Sequence, residues 1–297
     1  MIEFSKKENF KMLFAQYTGH LSSRFDIETC VNMIADAGFP AVDITMTQYP
    51  DPPFCENWRE VAHRLNEIAK RRDITYIQAH APCGKWDEYI ANVIPMIPDI
   101  MEFSGMLGIP NVVVHPIMRG YYYDDKDRMF EENVNFYNSI AHYAKDNGVK
   151  IALENMWQRH RETGYIGDCI GADPHELVSL YEALDDKDAF TICLDIGHTA
   201  LTGREPEDAI RVIGGERLGC IHAHDVDYKE DLHVLPGLSK INWDKVCRAL
   251  AEVGYRGCFT LEAGKTYANF EDGQIPSVLK FLAEITRYLA DKVDSYR

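Results

Sequence analysis

Short apolar runs alternate with longer amphipathic segments along the chain. The runs are about five residues long and rich in Val, Ile, Leu and aromatic residues, which is typical of buried parallel strands. They predict strands at Met12–Gln16, Ala41–Thr45, Thr75–Ala79, Asn111–His115, Lys150–Glu154, Thr191–Asp195, Leu218–His222 and Gly257–Glu262. Apolar residues at helical spacing predict helices at Ile27–Ala37, Trp58–Arg72, Ile90–Leu107, Arg128–Asn147, Pro174–Ala183, Glu205–Ile213, Trp243–Val253 and Pro276–Lys292.

The order of these segments favours a barrel. Eight strand–helix units in succession are what a (β/α)8 barrel requires, because parallel strands need crossovers that carry helices. Asp173-Pro174 predicts a helix start, and Asn147-Gly148 predicts a helix stop before the next strand. A doubly wound open sheet is the competing fold, but no glycine-rich phosphate turn follows the first run. The sequence therefore predicts an α/β fold, a single (β/α)8 TIM barrel, with residues 1–297 as one domain.

Histidine and carboxylate residues cluster where the predicted strands end. Six of the eight runs end in or lead directly into such residues, namely His80, His115, Glu154, Asp195 with His198, His222 with His224, and Glu262. Each alone is compatible with a hydrogen-bonded group at a barrel mouth. Because the carboxyl ends of barrel strands form the active-site face, the set together indicates a metal site. Carboxylates and imidazoles without a thiolate favour manganese, cobalt, zinc, iron or magnesium.

Composition narrows the choice of partners. Of 297 residues, 31 are Lys or Arg and 47 are Asp or Glu, which gives a formal net charge of −16. Such a surface suits phosphate-rich partners poorly, so neither nucleic acid nor an anionic membrane is expected. The eight cysteines include no Cys-x-x-Cys pair, and the sequence has neither a signal-peptide core nor an apolar stretch of membrane-spanning length. We therefore expect a cytoplasmic protein with reduced thiols.

The motifs at the strand ends resemble a known superfamily. They are Leu153-Glu154-Asn155, Cys193-Leu194-Asp195-Ile196-Gly197-His198, Ile221-His222-Ala223-His224-Asp225, Asp231-Leu232-His233-Val234-Leu235-Pro236-Gly237, Ile241-Asn242-Trp243 and Leu261-Glu262. In this order they are similar to the sugar phosphate isomerase/epimerase superfamily of xylose isomerase-like TIM barrels. That superfamily includes ketose 3-epimerases, inosose isomerases and dehydratases, and endonuclease IV.

The resemblance implies a divalent metal and roles for its ligands. The implied ligands are Glu154, Asp195, His222 and Glu262. Mn²⁺ is the first expectation, with Zn²⁺, Co²⁺ or Mg²⁺ as alternatives. Glu154 and Glu262 would exchange a proton with the carbon next to a metal-bound carbonyl, one removing it and the other returning it on the opposite face. His198 would contact a substrate hydroxyl, and His224 would lie beside the metal ligands.

Two positions depart from the ketose epimerases. Those enzymes carry a second Glu six residues after the Glu of the fifth strand, and an Arg six residues after the metal-binding His. This chain has His160 and Tyr228 there. Because both family residues help to fix the ketose, their absence puts a specific ketose 3-epimerase activity in doubt.

Endonuclease IV offers a second comparison. It holds three zinc ions through nine residues, and all nine types occur here in chain order: His80, His115, Glu154, Asp195, His198, His222, Asp231, His233 and Glu262. A site for three metals is therefore an open alternative. Against DNA repair, Ala81-Pro82-Cys83-Gly84 stands where those enzymes carry residues that wedge into the duplex, and the net charge is −16.

The leading hypothesis is a metal-dependent isomerase or epimerase that removes a proton next to the carbonyl of a sugar or cyclitol. The alternatives are a lyase or dehydratase acting on a keto-sugar or inosose by the same first step, an endonuclease IV-like enzyme with three zinc ions, and a non-catalytic sugar-binding barrel. Substrate contacts or additional metal ligands are expected from His80, His115, His198, His224, Asp231 and His233, and aromatic contacts from Trp86 and Trp157. A homo-oligomer is compatible with each of these hypotheses.

Overall fold

The strands form a parallel barrel. The structure is a computed structural model that describes residues 11–46, 57–84, 87 and 89–297. Within these residues the strands are β1 (Phe14–Tyr17), β2 (Ala41–Thr45), β3 (Thr75–His80), β4 (Asn111–Val114), β5 (Lys150–Glu154), β6 (Trp157–Arg159), β7 (Ile166–Asp168), β8 (Phe190–Asp195), β9 (Leu218–His222) and β10 (Phe259–Leu261). Eight of them form one parallel sheet in the order β10-β1-β2-β3-β4-β5-β8-β9.

The two ends of this sheet meet beyond β9. A parallel bridge joins Ala223 to Leu261. There the N–H of Ala223 donates to the carbonyl of Thr260 at 2.8 Å, and the N–H of Glu262 donates to the carbonyl of Ala223 at 3.0 Å. The barrel is therefore nearly closed at its carboxyl end, and the predicted (β/α)8 barrel is confirmed.

Helices surround the barrel. Among the described residues the α-helices are α1 (Gly19–Ser22), α2 (Ile27–Ala37), α3 (Trp58–Arg72), α4 (Ile97–Met106), α5 (Lys126–Asp146), α6 (Pro174–Ala183), α7 (Ile196–Leu201), α8 (Pro206–Ile213), α9 (Trp243–Glu252) and α10 (Ile275–Ser295). At the predicted start of α6, Asp173 accepts a hydrogen bond from the N–H of His175 at 2.8 Å, which caps the helix. No helix in the described part of the chain is long and apolar enough to cross a bilayer.

Two local predictions differ from the structure. The helix predicted at Ile90–Leu107 is wrong in its first third, where Tyr89–Val93 is a π-helical turn and Ile94–Met96 is a 3-10 turn. Pro95 and Pro98 explain the break, since proline lacks the N–H of the helical ladder and its ring clashes with the preceding turn. The antiparallel hairpin of β6 and β7 was not predicted, because its three-residue strands have no alternating apolar pattern. The eight barrel strands lie within one or two residues of their predicted bounds.

The barrel interior is polar toward its carboxyl end. Side chains there that are at most 2% exposed include Gln16, Asp43, Gln78, Glu154, Asp195 and His222. Apolar side chains instead fill the layer between strands and helices, as the buried Leu279 and Leu282 of α10 show. A barrel that buries this many polar groups at one end needs a partner for them, because an unpaired buried charge is strongly unfavourable.

Candidate metal centre at the barrel mouth

Three neighbouring strands place the first ligand candidates. Glu154, Asp195 and His222 are the last residues of β5, β8 and β9. Asp195 and His222 are register partners, and Glu154 pairs with Cys193 two residues before the end of β8. All three side chains therefore lie at the carboxyl ends of strands that are neighbours in the sheet.

Three carboxylates converge on one nitrogen of His222. Its Nδ1 atom lies 2.9 Å from Oε1 of Glu154, 3.1 Å from Oε2 of Glu262 and 3.8 Å from Oδ2 of Asp195. The side chains of Glu154, Asp195 and His222 are at most 1% exposed, whereas that of Glu262 is 15% exposed. An imidazole nitrogen offers at most one hydrogen, so it cannot satisfy three carboxylates. A divalent cation among these four side chains would balance the charge, and the donor set fits one.

The electrostatics of the site reflect this crowding. Burial alone would raise the pKa of Glu154, but the imidazoles of His222 and His115 outweigh it and hold the pKa well below its usual value. Burial likewise opposes ionisation of Asp195, yet His198 and His224 keep its pKa low. Both carboxylates are therefore anionic at neutral pH and available to a cation.

A second group of ligand atoms lies on the other side of Glu154. Oε2 of Glu154 is 2.8 Å from Nε2 of His115 and 3.5 Å from Nε2 of His80. Burial lowers the pKa of His115, but Glu154 and a hydrogen bond with Cys83 overcome this and raise it to about 10. Because one oxygen of Glu154 faces this group and the other faces His222, the carboxylate is placed to bridge two sites.

A third group lies toward the solvent. The ligand atoms of His198, His224, Asp231 and His233 all lie within 4.8 Å of one another. Nε2 of His233 is 3.1 Å from Oδ2 of Asp231, and the ring of His224 stacks on that of His233 at 3.9 Å between centroids. Against the effect of burial, this pairing lowers the pKa of Asp231 to about 2 and raises that of His233 to about 9.

His224 connects the third group to the first. Its Nε2 atom lies 3.0 Å and 3.2 Å from the two oxygens of Asp195. A Cβ atom on Gly197 would overlap the ring of His224, so the glycine makes room for it. His224 therefore contacts the carboxylate of Asp195 in the first group and stacks on His233 in the third group.

Three imidazoles are fixed in a tautomer suited to metal binding. Nδ1 of His80, His198 and His233 donates to the backbone carbonyls of Ala81 (2.9 Å), Asn155 (2.9 Å) and Glu262 (3.0 Å), respectively. A carbonyl only accepts, so each Nδ1 carries a hydrogen and Nε2 is the atom left to bind a metal; in His233 that atom hydrogen-bonds to Asp231, which a metal would have to replace. Ligand histidines are commonly oriented in this way. Oδ1 of Asp231 is also buried with no hydrogen-bond partner among the described residues.

A basin opens above these groups. A cavity of about 370 Å³ borders Glu154, Glu262, His115, His198 and Trp157. An adjoining cavity of about 510 Å³ reaches toward Tyr17 and His20, which sequence reasoning missed. Trp157 is therefore at the mouth, as expected for an aromatic contact, whereas Trp86 lies outside the described residues.

The two positions that depart from the ketose epimerases, His160 and Tyr228, lie outside the lining of the basin. His160 lies at the loop that joins β6 and β7 and packs its ring against Tyr121 and Tyr123, at 6.1 Å from each. Tyr228 has a left-handed backbone with a φ of 66°. Neither residue borders the two cavities of the basin.

Sequence reasoning also missed two residues beneath His222. Nε2 of Gln78 lies 2.6 Å from Nε2 of His222 and donates to Oδ2 of Asp43 at 2.8 Å. Burial raises the pKa of Asp43 to about 6, although His222 and His80 oppose the rise. The available signal was a polar residue inside an apolar run, Asp43 within Ala41–Thr45 and Gln78 within Thr75–Ala79.

Family comparison agrees with this architecture. A family model described as a xylose isomerase-like TIM barrel matches residues 31–285. Protein MJ1311 of Methanocaldococcus jannaschii, described as uncharacterized, is 29% identical over 210 residues, 67% of each chain. A probable endonuclease 4 of Staphylococcus saprophyticus is 24% identical over 203 residues, 60% of this chain and 63% of its own.

Solved structures show the same fold. A D-tagatose 3-epimerase-like protein superposes with a TM-score of 0.71 at 24% identity, covering 93% of this chain and 99% of its own. The IolI protein with a binding zinc atom superposes with a TM-score of 0.70 at 16% identity, covering 96% of this chain and 99% of its own. The family match spans most of the chain, so the chain belongs to the xylose isomerase-like TIM-barrel family.

Proposed function

We propose that this xylose isomerase-like TIM barrel is a divalent-metal-dependent isomerase or epimerase of a sugar or cyclitol. The observation that carries the proposal is the convergence of Glu154, Asp195 and Glu262 on Nδ1 of His222 at the floor of an open basin. The structural likeness to a D-tagatose 3-epimerase-like protein and to the zinc-binding IolI protein supports it. Mn²⁺ is the first candidate metal, with Zn²⁺, Co²⁺ or Mg²⁺ as alternatives.

The residues divide the chemistry between them. When bound, the cation acts as a Lewis acid that makes the hydrogen on the carbon next to a carbonyl more acidic. Glu154 and Glu262 lie 2.9 Å and 3.1 Å from the same atom of His222, so both carboxylates reach one point of the site. One carboxylate removes the proton and the other returns it to the opposite face of the carbon. Asp195 does not border the basin, so it serves to hold the metal rather than to contact a substrate, and His224 orients its carboxylate.

His198 binds the substrate in this proposal. Its Nδ1 hydrogen is committed to the carbonyl of Asn155, and its ring borders the basin. The free lone pair on Nε2 accepts a hydrogen bond from a substrate hydroxyl. Trp157, whose ring lies 6.3 Å from that of His198, provides an apolar surface against which a sugar ring can stack.

Elimination is the near alternative. It begins with the same proton removal, but the second carboxylate then protonates a departing hydroxyl instead of the carbon. The lyase and the isomerase therefore use the same residues, and only the product distinguishes them. A keto-sugar or an inosose is the substrate class for the lyase.

A second candidate function is supported by the grouping of nine residues. His80, His115, Glu154, Asp195, His198, His222, Asp231, His233 and Glu262 form three adjoining groups around the bridging carboxylates. This arrangement and the likeness to a probable endonuclease 4 support a three-zinc enzyme that cleaves a phosphodiester. The formal net charge of −16 argues against a duplex DNA substrate.

Metal analysis combined with a substrate panel tests these candidates. The purified protein is analysed for bound metal and then incubated in D2O with ketoses, inososes and keto-glycosides. We expect metal-dependent deuterium incorporation next to the carbonyl of at least one substrate, and a metal-free form that recovers activity with a divalent cation. Cleavage of abasic-site duplex by a form carrying three zinc ions, without exchange on any sugar, would favour the endonuclease and refute the isomerase.

A further inference from the structure

Asp225 lies near the start of the loop that joins β9 to α9, residues 223–242. This loop carries two residues of the third group, Asp231 and His233, which border both cavities of the basin. Asp225 itself is fully buried and borders neither cavity. Any part that Asp225 plays in the basin therefore has to act through the loop.

Five N–H groups converge on the carboxylate of Asp225, four from the backbone and one from an indole. The donors are Val226 (2.9 Å) and Ile241 (3.0 Å) to Oδ1, and Gly237 (2.8 Å), Ser239 (3.1 Å) and the Nε1 atom of Trp243 (3.2 Å) to Oδ2. A carboxylate offers about four lone-pair positions, so both oxygens are fully used. One donor follows Asp225 directly and the others lie 12 to 18 residues further along, so one side chain joins the two ends of the loop.

Backbone hydrogen bonds close the loop at the same place. The N–H of Asp225 donates to the carbonyl of Val234 at 2.7 Å, and the N–H of Lys240 donates to the carbonyl of Val226 at 3.2 Å. The segment between Asp225 and Val234 contains Asp231 and His233. This segment is therefore a closed turn, and Asp225 lies at its base.

The loop holds two residues in a strained backbone conformation. Tyr228 and His233 have φ values of 66° and 42°, and among the described residues only one other non-glycine residue, Asp73, has a positive φ. A residue with a Cβ remains in this region only where surrounding contacts impose it. In this conformation His233 contacts the carbonyl of Glu262 at 3.0 Å and the carboxylate of Asp231 at 3.1 Å. The five hydrogen bonds to Asp225 provide such a constraint at the base of the turn.

We propose that Asp225 is a positioning residue: its carboxylate fixes the loop so that Asp231 and His233 form one wall of the basin and bind hydroxyls of the substrate. The inference rests on the isomerase or epimerase proposed above, and it adds a determinant of substrate affinity that does not contact the substrate. Glu154 ends β5 and Glu262 directly follows β10, so both lie outside the loop. Substrate affinity and proton transfer therefore depend on different elements.

Asp225→Asn tests the inference with little change of shape. An NH2 group in place of either oxygen faces N–H donors of the loop, so two or three of the five hydrogen bonds are lost. We expect two of the four backbone amides that donate to Asp225 to exchange with D2O about tenfold faster or more. At saturating metal, KM should rise about tenfold or more, the value of one hydrogen bond to a charged group, while kcat stays within about threefold. The substrate is the ketose, inosose or keto-glycoside that shows metal-dependent exchange in the panel above.

Two further variants separate position from stability. Trp243→Phe removes only the indole donor and keeps an aromatic ring, so KM should rise in the same direction by about two- to threefold, and this variant carries the test if Asp225→Asn does not fold. Thr286→Val is the matched control, because Thr286 is also fully buried and its hydroxyl donates to the carbonyl of Leu282 in α10 at 2.7 Å. It should lower the melting temperature without changing KM.

Each result decides one part of the inference. Unchanged exchange of the loop amides would show that Asp225 does not fix the loop, and faster exchange with an unchanged KM would overturn its positioning role. A rise in KM as large in Thr286→Val as in Asp225→Asn would reduce the effect to stability and would also overturn it. If the unsubstituted protein converts no compound in the panel, the proposed function fails, whereas amide exchange still tests whether Asp225 fixes the loop.

Discussion

Glu154→Gln removes one charge from the middle of the proposed centre and almost nothing else. Oε1 of Glu154 lies 2.9 Å from Nδ1 of His222, and Oε2 lies 2.8 Å from Nε2 of His115. Glutamine keeps the shape of the side chain, but one of these positions becomes an NH2 group that cannot bind a cation. The side chain of Glu154 is 1% exposed, so solvent cannot replace the lost oxygen.

We expect Glu154→Gln to lose both metal affinity and turnover. Substitution of groups that merely orient metal ligands costs about 10–100-fold in affinity, so loss of a bridging ligand should cost about 100-fold or more, or about 2.7 kcal/mol. Turnover at saturating metal should fall by about 10²- to 10⁴-fold because an amide cannot act as a base, which corresponds to about 2.7–5.4 kcal/mol in activation free energy.

Affinity and turnover are measured separately. Chelator competition gives the metal dissociation constant, and turnover is then followed at a metal concentration that saturates the variant. Glu207→Gln is the matched control, since Glu207 is 4% exposed, pairs with Lys245 at 2.8 Å and does not border the basin. The control should keep both properties. If Glu154→Gln binds metal within threefold of the unsubstituted protein and retains its turnover, Glu154 is neither a ligand nor a base.

Other consequences concern stability. Gly197→Ala should destabilise the fold by roughly 1–3 kcal/mol because its Cβ overlaps His224, whereas Gly273→Ala has open space and should change it by less than about 0.5 kcal/mol; equal melting temperatures would contradict this. The hydrogen bond that Nε2 of His233 donates to Asp231 outweighs burial and raises the pKa of His233 from 6.5 to about 9. The stability that His233 contributes in the metal-free protein is therefore present below pH 6.5 and lost as the pH rises through 9. The free energy of unfolding lost between pH 6 and pH 9.5 should be smaller by about 2–3 kcal/mol in His233→Gln than in the unsubstituted protein, and an unchanged loss in that variant would refute the assignment. Metal at 100 times its dissociation constant should add about 2.7 kcal/mol, so chelation that leaves the melting temperature unchanged would argue against a bound cation.

The barrel was predictable because its signal is repeated along the whole chain. Each short apolar run is followed by a segment whose apolar residues recur at helical spacing. The strands β2 and β5 have their predicted bounds, Ala41–Thr45 and Lys150–Glu154. Two features were harder to predict from the sequence. The helix break at Pro95 depends on a local steric conflict, and the hairpin that begins with Trp157–Arg159 depends on the pairing of only three residues.

The candidate site was partly predictable for a related reason. Strand ends meet at one face of any such barrel, so the identities of Glu154 and His222 indicated that they would be neighbours. The sequence contains no equivalent rule for contacts across the interior, where Gln78 reaches His222 from a strand on the other side of the barrel. Which nitrogen of each imidazole carries the hydrogen also depends on differences of a few tenths of an ångström between interatomic distances. No residue pattern specifies such differences.

Deuterium exchange at the reacting carbon tests the central claim most directly. The metal-loaded protein is incubated in D2O with a substrate that it converts, and the deuterium content next to the carbonyl is measured in the product and the remaining substrate, with a chelated sample alongside. The proposed proton transfer by Glu154 and Glu262 predicts incorporation that requires the metal and is lost in Glu262→Gln. Full conversion without incorporation, or incorporation that persists after chelation, would contradict the account.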